Sequence, residues 1–262
     1  MNRNKRQYDP DNLKRIKALR LIDDDFMNLV FNENIEGTEL LLKIIMDRDD
    51  LKVTDVRTQS KIKNLNGRSI CLDIDALDSE GAKYDIEIQR TNKGANPKRA
   101  RYHSSIIDAS MLKEGDDFTN LRENYVIFIT EKDAIGSNKP IYHVDRMIRE
   151  DNVQFEDGEH IIYVNGSNKA DDTALGRLMS DFFCTEAKDM YYKELSDKVR
   201  YYKETEKGVD KMCEIWDEVR NEARIENAQK MINSGKLSLE DIAEYSGLSL
   251  DKVRELAGNK SA

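Results

Sequence analysis

The chain has 262 residues, of which 39% are hydrophobic and 35% are charged, and its formal net charge is −9. No segment approaches the roughly 20 apolar residues that span a bilayer, and the cysteines form no CxxC pair, so we expect a cytoplasmic protein with reduced thiols and no membrane partner. The acidic charge excludes a uniformly basic nucleic-acid-binding surface, so contacts with phosphate groups would require local basic clusters.

The N-terminal part of the chain is predicted to be helical. Residues 1–22 form a basic arm, and three consecutive aspartates at 23–25 precede the helical pattern FMNLVF. A second helix is predicted from Thr38, as its N-cap, to Met46, and its continuous apolar run LLLKIIM indicates that it is buried.

Residues 70–90 have the pattern of an acidic β-hairpin. Apolar residues alternate with carboxylates in both predicted strands, which is typical of a strand with one buried face. The intervening sequence DSEG, residues 78–81, favours a tight turn. A solvated acidic face in a charge-rich chain and a metal-binding face are both compatible with this pattern.

The register of the hairpin distinguishes its carboxylates. If the turn centres on Glu80, Asp73 lies opposite Glu87 and Asp75 lies opposite Asp85. Opposed side chains have Cβ atoms roughly 5 Å apart, and like charges at that distance destabilise a sheet. A divalent cation would turn this repulsion into coordination, so the hairpin predicts a metal site.

A basic helix is predicted after the hairpin, from Pro97 at its first position to Lys113. The basic residues at and before its start are Arg90, Lys93, Lys98, Arg99 and Arg101. They could hold a nucleic-acid backbone against the acidic face, or they could form a solvated helix face. On the same helix, His103 could bind a phosphate or act as an acid, although packing roles are more common for such a residue.

Further strands are predicted at 53–64, 124–130, 141–144 and 160–164, which gives a mixed α/β sheet. After residue 170 the strand signal ends. Residues 171–234 are predicted to form a charged helical extension that packs back onto the core or forms a homodimer through the C-terminal helices. Residues 235–262 resemble a helix-turn-helix, but the second helix is net neutral, which favours a structural or assembly role over sequence reading.

The ordered series of these segments resembles the PD-(D/E)XK nucleases, and more narrowly the recombination-promoting nuclease (Rpn) group, also described as PD-(D/E)XK nuclease family transposases. The resemblance implies a restriction-endonuclease-like core over residues 23–170, with a mixed central sheet flanked by helices and an α-helical C-terminal region. The stretches that carry it are DDDFMNLVF (23–31), RSICLDIDALDSEGAKYDIEIQR (68–90), KRARYHSSIIDASML (98–112), ENYVIFITEKD (123–133), IIYVNG (161–166), LGRLMSDFFCTEAKDMYY (175–192) and GLSLDKVREL (247–256).

Carried onto this sequence, the family motif falls on Asp73, Glu87 and Gln89. The resemblance implies that Asp73 and Glu87 hold Mg²⁺ or Mn²⁺, with the backbone carbonyl of Ile88 as a further ligand, and that an activated water hydrolyses a phosphodiester bond. Gln89 stands where the wider superfamily has a Lys, although Gln is usual in this group. It can orient water but carries no charge, so either a neighbouring Arg or Lys and the metal cover the deficit, or the chain cuts slowly or not at all.

Other acids could complete the metal site. In the wider superfamily an acidic residue on the first core helix can join it, and Asp25 and Glu39 are candidates, with Asp75 and Asp85 as secondary candidates on the hairpin. The implied activity is that of a metal-dependent DNA endonuclease associated with recombination or transposition. The alternatives are a catalytically weak or silent DNA-binding or assembly protein that retains the fold, and a regulatory phosphodiesterase or RNase.

Overall fold

The structure is a computed structural model that describes residues 8, 10–65, 67–91, 94–170 and 172–258. Part of the predicted basic arm, namely residues 1–7 and 9, lies outside the described residues, and so does Lys93 of the predicted basic run. In the described part of the chain, no helix combines the length and the apolar character that crossing a bilayer requires.

The strands build a mixed central sheet. They are β1 (Val53–Ile62), β2 (Ile70–Asp78), β3 (Lys83–Gln89), β4 (Asn124–Thr130), β5 (Ile141–Val144), β6 (Met147–Ile148), β7 (Val153–Gln154) and β8 (Glu159–Asn165). Six of them form one sheet in the order β1-β2-β3-β4-β8-β5, while β6 and β7 form a separate pair. Neighbours in the large sheet are parallel at β3–β4 and β4–β8 and antiparallel elsewhere. The predicted mixed α/β fold class is confirmed.

Helices cover the sheet and build the C-terminal region. They are α1 (Pro10–Ala18), α2 (Asp24–Phe31), α3 (Ile35–Met46), α4 (Pro97–Met111), α5 (Ala174–Phe183), α6 (Lys193–Glu204), α7 (Glu206–Ser234), α8 (Leu239–Ser246) and α9 (Leu250–Gly258). The predicted start of α4 is confirmed, because Pro97 is at its first turn and the Asn96 side chain caps it by accepting from the Lys98 N–H. Its predicted end at Lys113 is two residues too late.

The predicted start of α3 at Thr38 is wrong. The helix begins at Ile35, and its N-cap is Asn34, whose side-chain oxygen accepts from the Gly37 N–H at 3.1 Å. This oxygen satisfies one of the free N–H groups of the first turn. Because Asn34 lies about one turn before Thr38, the helix starts earlier than the sequence pattern indicates. Thr38 itself is fully buried inside the helix.

Both faces of the sheet are buried around β3. On one face, α4 packs through Ala100 and Ile107 against Val126 and Phe128 of β4. Elsewhere on the sheet, helices α2 and α3 pack against β1. All five interior residues of β3 are therefore buried, and the predicted exposure of one face is wrong for this strand. The physical reason is that α4 covers the acidic face, as expected where parallel strands carry a crossover helix.

The chain divides into two compact units. Residues 17–200 contain the sheet, and the second unit contains residues 201–258 together with the described residues up to Ile16. In the second unit α7, α8 and α9 meet in a small core of Ala228, Ile242 and Val253. Ser238 caps α8, in a capping box with Asp241. The division of the chain at residues 22, 170 and 234 stays a prediction.

Candidate metal centre

The predicted register of the acidic hairpin is confirmed where β2 and β3 pair, since Asp75 is the partner of Asp85. The ladder ends one residue further, at Ile74 and Ile86. Beyond it, the backbone N–H of Asp73 donates to Oε1 of Glu87 at 3.3 Å, and the N–H of Ile88 donates to Oδ2 of Asp73 at 3.1 Å. Asp73 and Glu87 thus meet where the two strands separate.

A buried group of ligand-type side chains lies under α4. Asp85 and Glu87 have no exposed surface, and His103 is 5% exposed. Nδ1 of His103 lies 2.8 Å from Oδ2 of Asp85 and 3.7 Å from Oε1 of Glu87. One ligand atom of each of these three residues lies within 4.8 Å of the others. The predicted secondary candidate Asp85 therefore belongs to the same cluster as Glu87.

Arg99 closes this cluster on the side of α4. Its Nη2 forms an ion pair with Oε2 of Glu87. Its Nε donates to Nε2 of His103 at 3.3 Å, and its Nη1 donates to the carbonyl of Gly94 at 3.2 Å. The guanidinium carbon lies 5.9 Å from the ring centroid of Phe128. Because Arg99 and His103 are four residues apart on one helix, they share a face and reach the same carboxylates.

The cluster contains more carboxyl groups than cationic groups. Burial raises the pKa of Glu87 to about 8, and the charges of Asp85 and Asp73 add to the effect, while Arg99 opposes it. Burial also raises the pKa of Asp85 well above its usual range and raises that of Asp73. Burial lowers the pKa of His103, so its ring is neutral near pH 7. The guanidinium of Arg99 is thus the main cation available to these carboxylates among the described residues.

These features fit a divalent cation. Oδ1 of Asp85 is buried and has no hydrogen-bond partner among the described residues. A buried carboxylate oxygen of this kind is costly unless an ion or a proton satisfies it. Carboxylate oxygens are the ligands that Mg²⁺ and Mn²⁺ prefer. The carboxylates of Asp85 and Glu87, which have ligand oxygens within 4.8 Å of each other, therefore suit such an ion in chemistry.

The backbone of β3 adds a further oxygen, the carbonyl of Ile88, on the side that faces Asp73. The carbonyl of Gln89 points toward β4, because it accepts from the N–H of Glu131, the residue after β4, at 3.0 Å. Carbonyl directions alternate along a strand, and the N–H and C=O of one residue point to the same side. The carbonyl of Ile88 therefore faces the side on which its N–H bonds to Asp73.

Gln89 itself packs against the loop before α4. A Cβ atom at Gly94 would collide with the side-chain amide of Gln89, so an alanine there would force this amide to move. The same Gly94 offers its carbonyl to Arg99. Gly94 thus lies beside both Gln89, which stands in the position of the superfamily Lys, and the neighbouring cation Arg99.

Two predicted acids have their charges compensated elsewhere. Asp75 forms an ion pair with Lys83 and accepts from the Ser60 hydroxyl at 2.8 Å. Glu39 binds three donors, which are Nζ of Lys43 at 2.8 Å, Nζ of Lys52 at 3.1 Å and the N–H of Val53 at 3.1 Å. Neither carboxylate needs a metal ion to balance its charge.

On α2, the acid that acts on the site is Asp24, which the sequence did not single out from its neighbours. Desolvation and the charge of Asp25 raise the pKa of Asp24. The charge of Asp24 in turn raises the pKa of Asp73. Asp24 and Asp25 are both exposed on this helix, so exposure does not distinguish them.

A basic cavity of about 910 Å³ adjoins the cluster. Its lining includes the predicted DNA-binding residues Lys98, Arg99 and Arg101, and also Arg68 and His103. Arg68 was missed because it stands alone in the loop before β2, away from any basic run. The predicted residue Arg90 pairs instead with Asp23 at 3.4 Å and with Glu131 at 3.7 Å.

Comparison with known proteins identifies one family. The family model described as PD-(D/E)XK nuclease family transposase matches residues 26–246, which include the whole sheet and helices α3 to α8. No curated protein and no solved structure shows significant similarity to the chain.

Proposed function

The chain belongs to the PD-(D/E)XK nuclease family transposases, and on this basis we propose that it is a metal-dependent endonuclease that hydrolyses phosphodiester bonds of DNA in recombination or transposition. The observation that carries the proposal is the contact between Asp73 and Glu87 at the point where β2 and β3 separate. Burial raises the pKa of both carboxyls there, so a bound cation would favour their ionised forms.

Mg²⁺ or Mn²⁺ would be held by Asp73, Glu87 and the carbonyl of Ile88. When bound, such an ion polarises the scissile phosphate and lowers the pKa of a water molecule. Asp85 and Asp24 add negative charge that favours a cation at this position. The amide of Gln89 orients water by hydrogen bonding but contributes no charge.

The basic cavity supports a nucleic acid as substrate. Lys98, Arg101 and Arg68 line it beside the carboxylate cluster, so they can contact phosphates on either side of the scissile bond. This local concentration of positive charge offsets the net charge of −9 of the whole chain. The description of the family as transposases favours DNA over RNA.

The cellular context and the assembly are further parts of the proposal. Cys71, Cys184 and Cys213 are free thiols, which fits a reducing cytoplasm. On α7, Val219 is 49% exposed, and a second copy of the chain could cover this helix. A homodimer would suit an enzyme that cuts both strands of a duplex.

A second candidate function is a catalytically silent DNA-binding or assembly protein with the same fold. The observation that favours it is Gln89, which leaves the position of the motif Lys without a charge. This protein would bind DNA through the basic cavity and leave the phosphodiester bonds intact. The two functions differ only in cleavage, so one assay separates them.

The assay uses supercoiled plasmid with Mg²⁺ or Mn²⁺. We expect nicked and linear products from the wild type, no cleavage in EDTA, and a loss of at least about 10²-fold in Asp73→Asn and Glu87→Gln. Glu39→Gln serves as the matched control, because its carboxylate is neutralised by lysines. Binding without cleavage by the wild type would favour the silent protein, and preferential cleavage of RNA would favour an RNase. Activity that survives EDTA and both substitutions would refute the site.

A further inference from the structure

The candidate site lacks the cation that a Lys would supply at position 89. Gln89 cannot provide it, and its amide is held against Gly94. Negative charge grows on the phosphate oxygens during phosphodiester cleavage, and a fixed cation beside them lowers the barrier. The missing charge must come from a side chain that faces the same cavity.

We propose that Arg99 is the catalytic cation that contacts the scissile phosphate, and that His103 and Asp85 are positioning residues that hold its guanidinium in place. The inference rests on the proposed function. It assigns to α4 the charge that the superfamily motif carries on the strand.

Arg99 is held by several contacts and its side chain remains partly exposed. Nε and Nη1 are fixed by His103 and by the carbonyl of Gly94, and the plane lies over Phe128. Its side chain is 36% exposed and lines the basic cavity. A guanidinium has five N–H donors, so donors remain for a phosphate after these anchors are made. Its planar fork matches the geometry of phosphate oxygens.

The ion pair with Glu87 shows how far Arg99 reaches. Nη2 contacts Oε2 of Glu87, a carboxylate of the proposed metal site. A metal ion and the guanidinium therefore compete for the same oxygen. A metal ion held by this oxygen would free Nη2 of Arg99 to donate to an oxygen of the substrate phosphate.

The hydrogen bonds fix the tautomer of His103. Its Nε2 accepts from Nε of Arg99, so the ring proton resides on Nδ1 and is donated to Oδ2 of Asp85. Asp85 thereby orients the ring, and the ring orients Arg99. Such outer partners set the direction of a functional group without touching the substrate.

This arrangement differs from one in which His103 is a metal ligand. The atoms of Asp85, Glu87 and His103 are close enough to share an ion. Both ring nitrogens of His103, however, already have partners, in Arg99 and Asp85. A positioning role keeps these bonds, whereas a ligand role would break one of them. The two roles predict different effects of His103 variants on metal affinity.

The test compares plasmid cleavage and Mn²⁺ binding in five single variants and one double variant of the full chain. Arg99→Ala and Arg99→Lys address the cation. His103→Gln can still accept from Nε of Arg99, and His103→Asn can still donate to Asp85. Arg48→Ala is the matched control, since the Arg48 side chain is 34% exposed and pairs with Asp50 and Glu80 at the turn end of the hairpin.

We expect Arg99→Ala to lower kcat by about 10²- to 10³-fold, as removal of one stabilising donor does elsewhere. Free guanidinium ion should restore activity to this variant in a concentration-dependent way, and Arg99→Lys should retain part of it. His103→Gln should cleave faster than His103→Asn, and its effect should vanish when combined with Arg99→Ala. Arg48→Ala should match the wild type.

Calorimetric titration with Mn²⁺ alone gives a second readout that is independent of cleavage. Arg99→Ala should bind Mn²⁺ as tightly as the wild type or more tightly, because the competitor for Glu87 is gone. Both His103 variants should keep their Mn²⁺ affinity. A structural defect at Arg99 would instead weaken metal binding.

The outcomes separate the inference from the proposed function. Wild-type cleavage together with an active Arg99→Ala would overturn only the inference, and so would a loss that neither guanidinium ion nor lysine restores. Weakened Mn²⁺ binding by His103→Gln would make His103 a ligand and overturn its positioning role. Absence of cleavage by the wild type would overturn the proposed function and the inference together.

Discussion

The metal-free protein should lose stability as the pH rises from 5 to 8, and Glu87→Gln should remove much of this loss. The carboxyl of Glu87 has its pKa raised by burial to about 8, against an ordinary value of 4.5. Between these two values the unfolded chain has released the proton and the folded chain still holds it. The folded state therefore binds more protons, so the free energy of unfolding falls as the pH rises.

The size of the effect follows from the raised pKa. One proton contributes about 1.4 kcal/mol per pH unit, so Glu87 accounts for on the order of 4 kcal/mol between pH 4.5 and 8. The stabilisation is fully present below pH 4.5 and is lost by the time the pH passes 8. Asp85 and Asp73 act in the same direction, because their pKa values are also raised by burial.

Urea unfolding in EDTA, followed by circular dichroism at several pH values, measures this slope. Glu87→Gln should unfold with a pH slope that is smaller by about one proton over the window. Glu39→Gln is the control: although desolvation opposes it, hydrogen bonds from Lys43 and Lys52 lower the pKa of Glu39. That carboxylate is ionised in both states above pH 5, so its variant should keep the wild-type slope. A wild-type stability that is constant or rises from pH 5 to 8 would refute the reasoning.

Three further predictions concern the same region. A cation must displace the proton of Glu87. The affinity for Mn²⁺ should therefore rise by up to about tenfold for each pH unit as the pH increases toward 8. Calorimetric titrations in which the affinity does not change with pH would contradict this. Gly94→Ala should lower cleavage but cost only about 0.5–1.5 kcal/mol of stability, because the new Cβ displaces the amide of Gln89, the end of a flexible side chain. Unchanged cleavage would show that the position of this amide does not matter. Asp78→Ala should lower the free energy of unfolding in urea by about 3 kcal/mol. Asp78 accepts from two N–H groups of the hairpin turn and from the Tyr84 hydroxyl, and the variant loses all three bonds. A decrease below about 1 kcal/mol would contradict that role.

The sequence was sufficient for the features that follow from local pattern. Strand alternation and the DSEG turn fixed the hairpin register, so Asp75 and Asp85 face each other as predicted. The start of α4 at Pro97 also follows from nearby residues. These features depend on a few neighbouring residues and on backbone geometry.

The features that sequence reasoning missed depend on tertiary packing. The burial of Asp85 and Glu87 results from α4 crossing the acidic face, and no pattern within β3 contains that information. Three adjacent aspartates at 23–25 have similar local patterns, and only the placement of α2 selects Asp24 as the one that acts on Asp73. The contact between Arg99 and Glu87 joins residues on a helix and a strand, and the orientation of α4 decides it.

The central claim is that Asp73 and Glu87 form the metal centre of a nuclease. Anomalous diffraction from crystals grown with Mn²⁺ tests it most directly. We expect a single strong anomalous peak, with carboxylate oxygens of Asp73 and Glu87 within about 2.5 Å of the Mn²⁺ ion. A peak that Asp85 and His103 hold without Asp73, or Mn²⁺ bound only at a distance from Glu87, would contradict it.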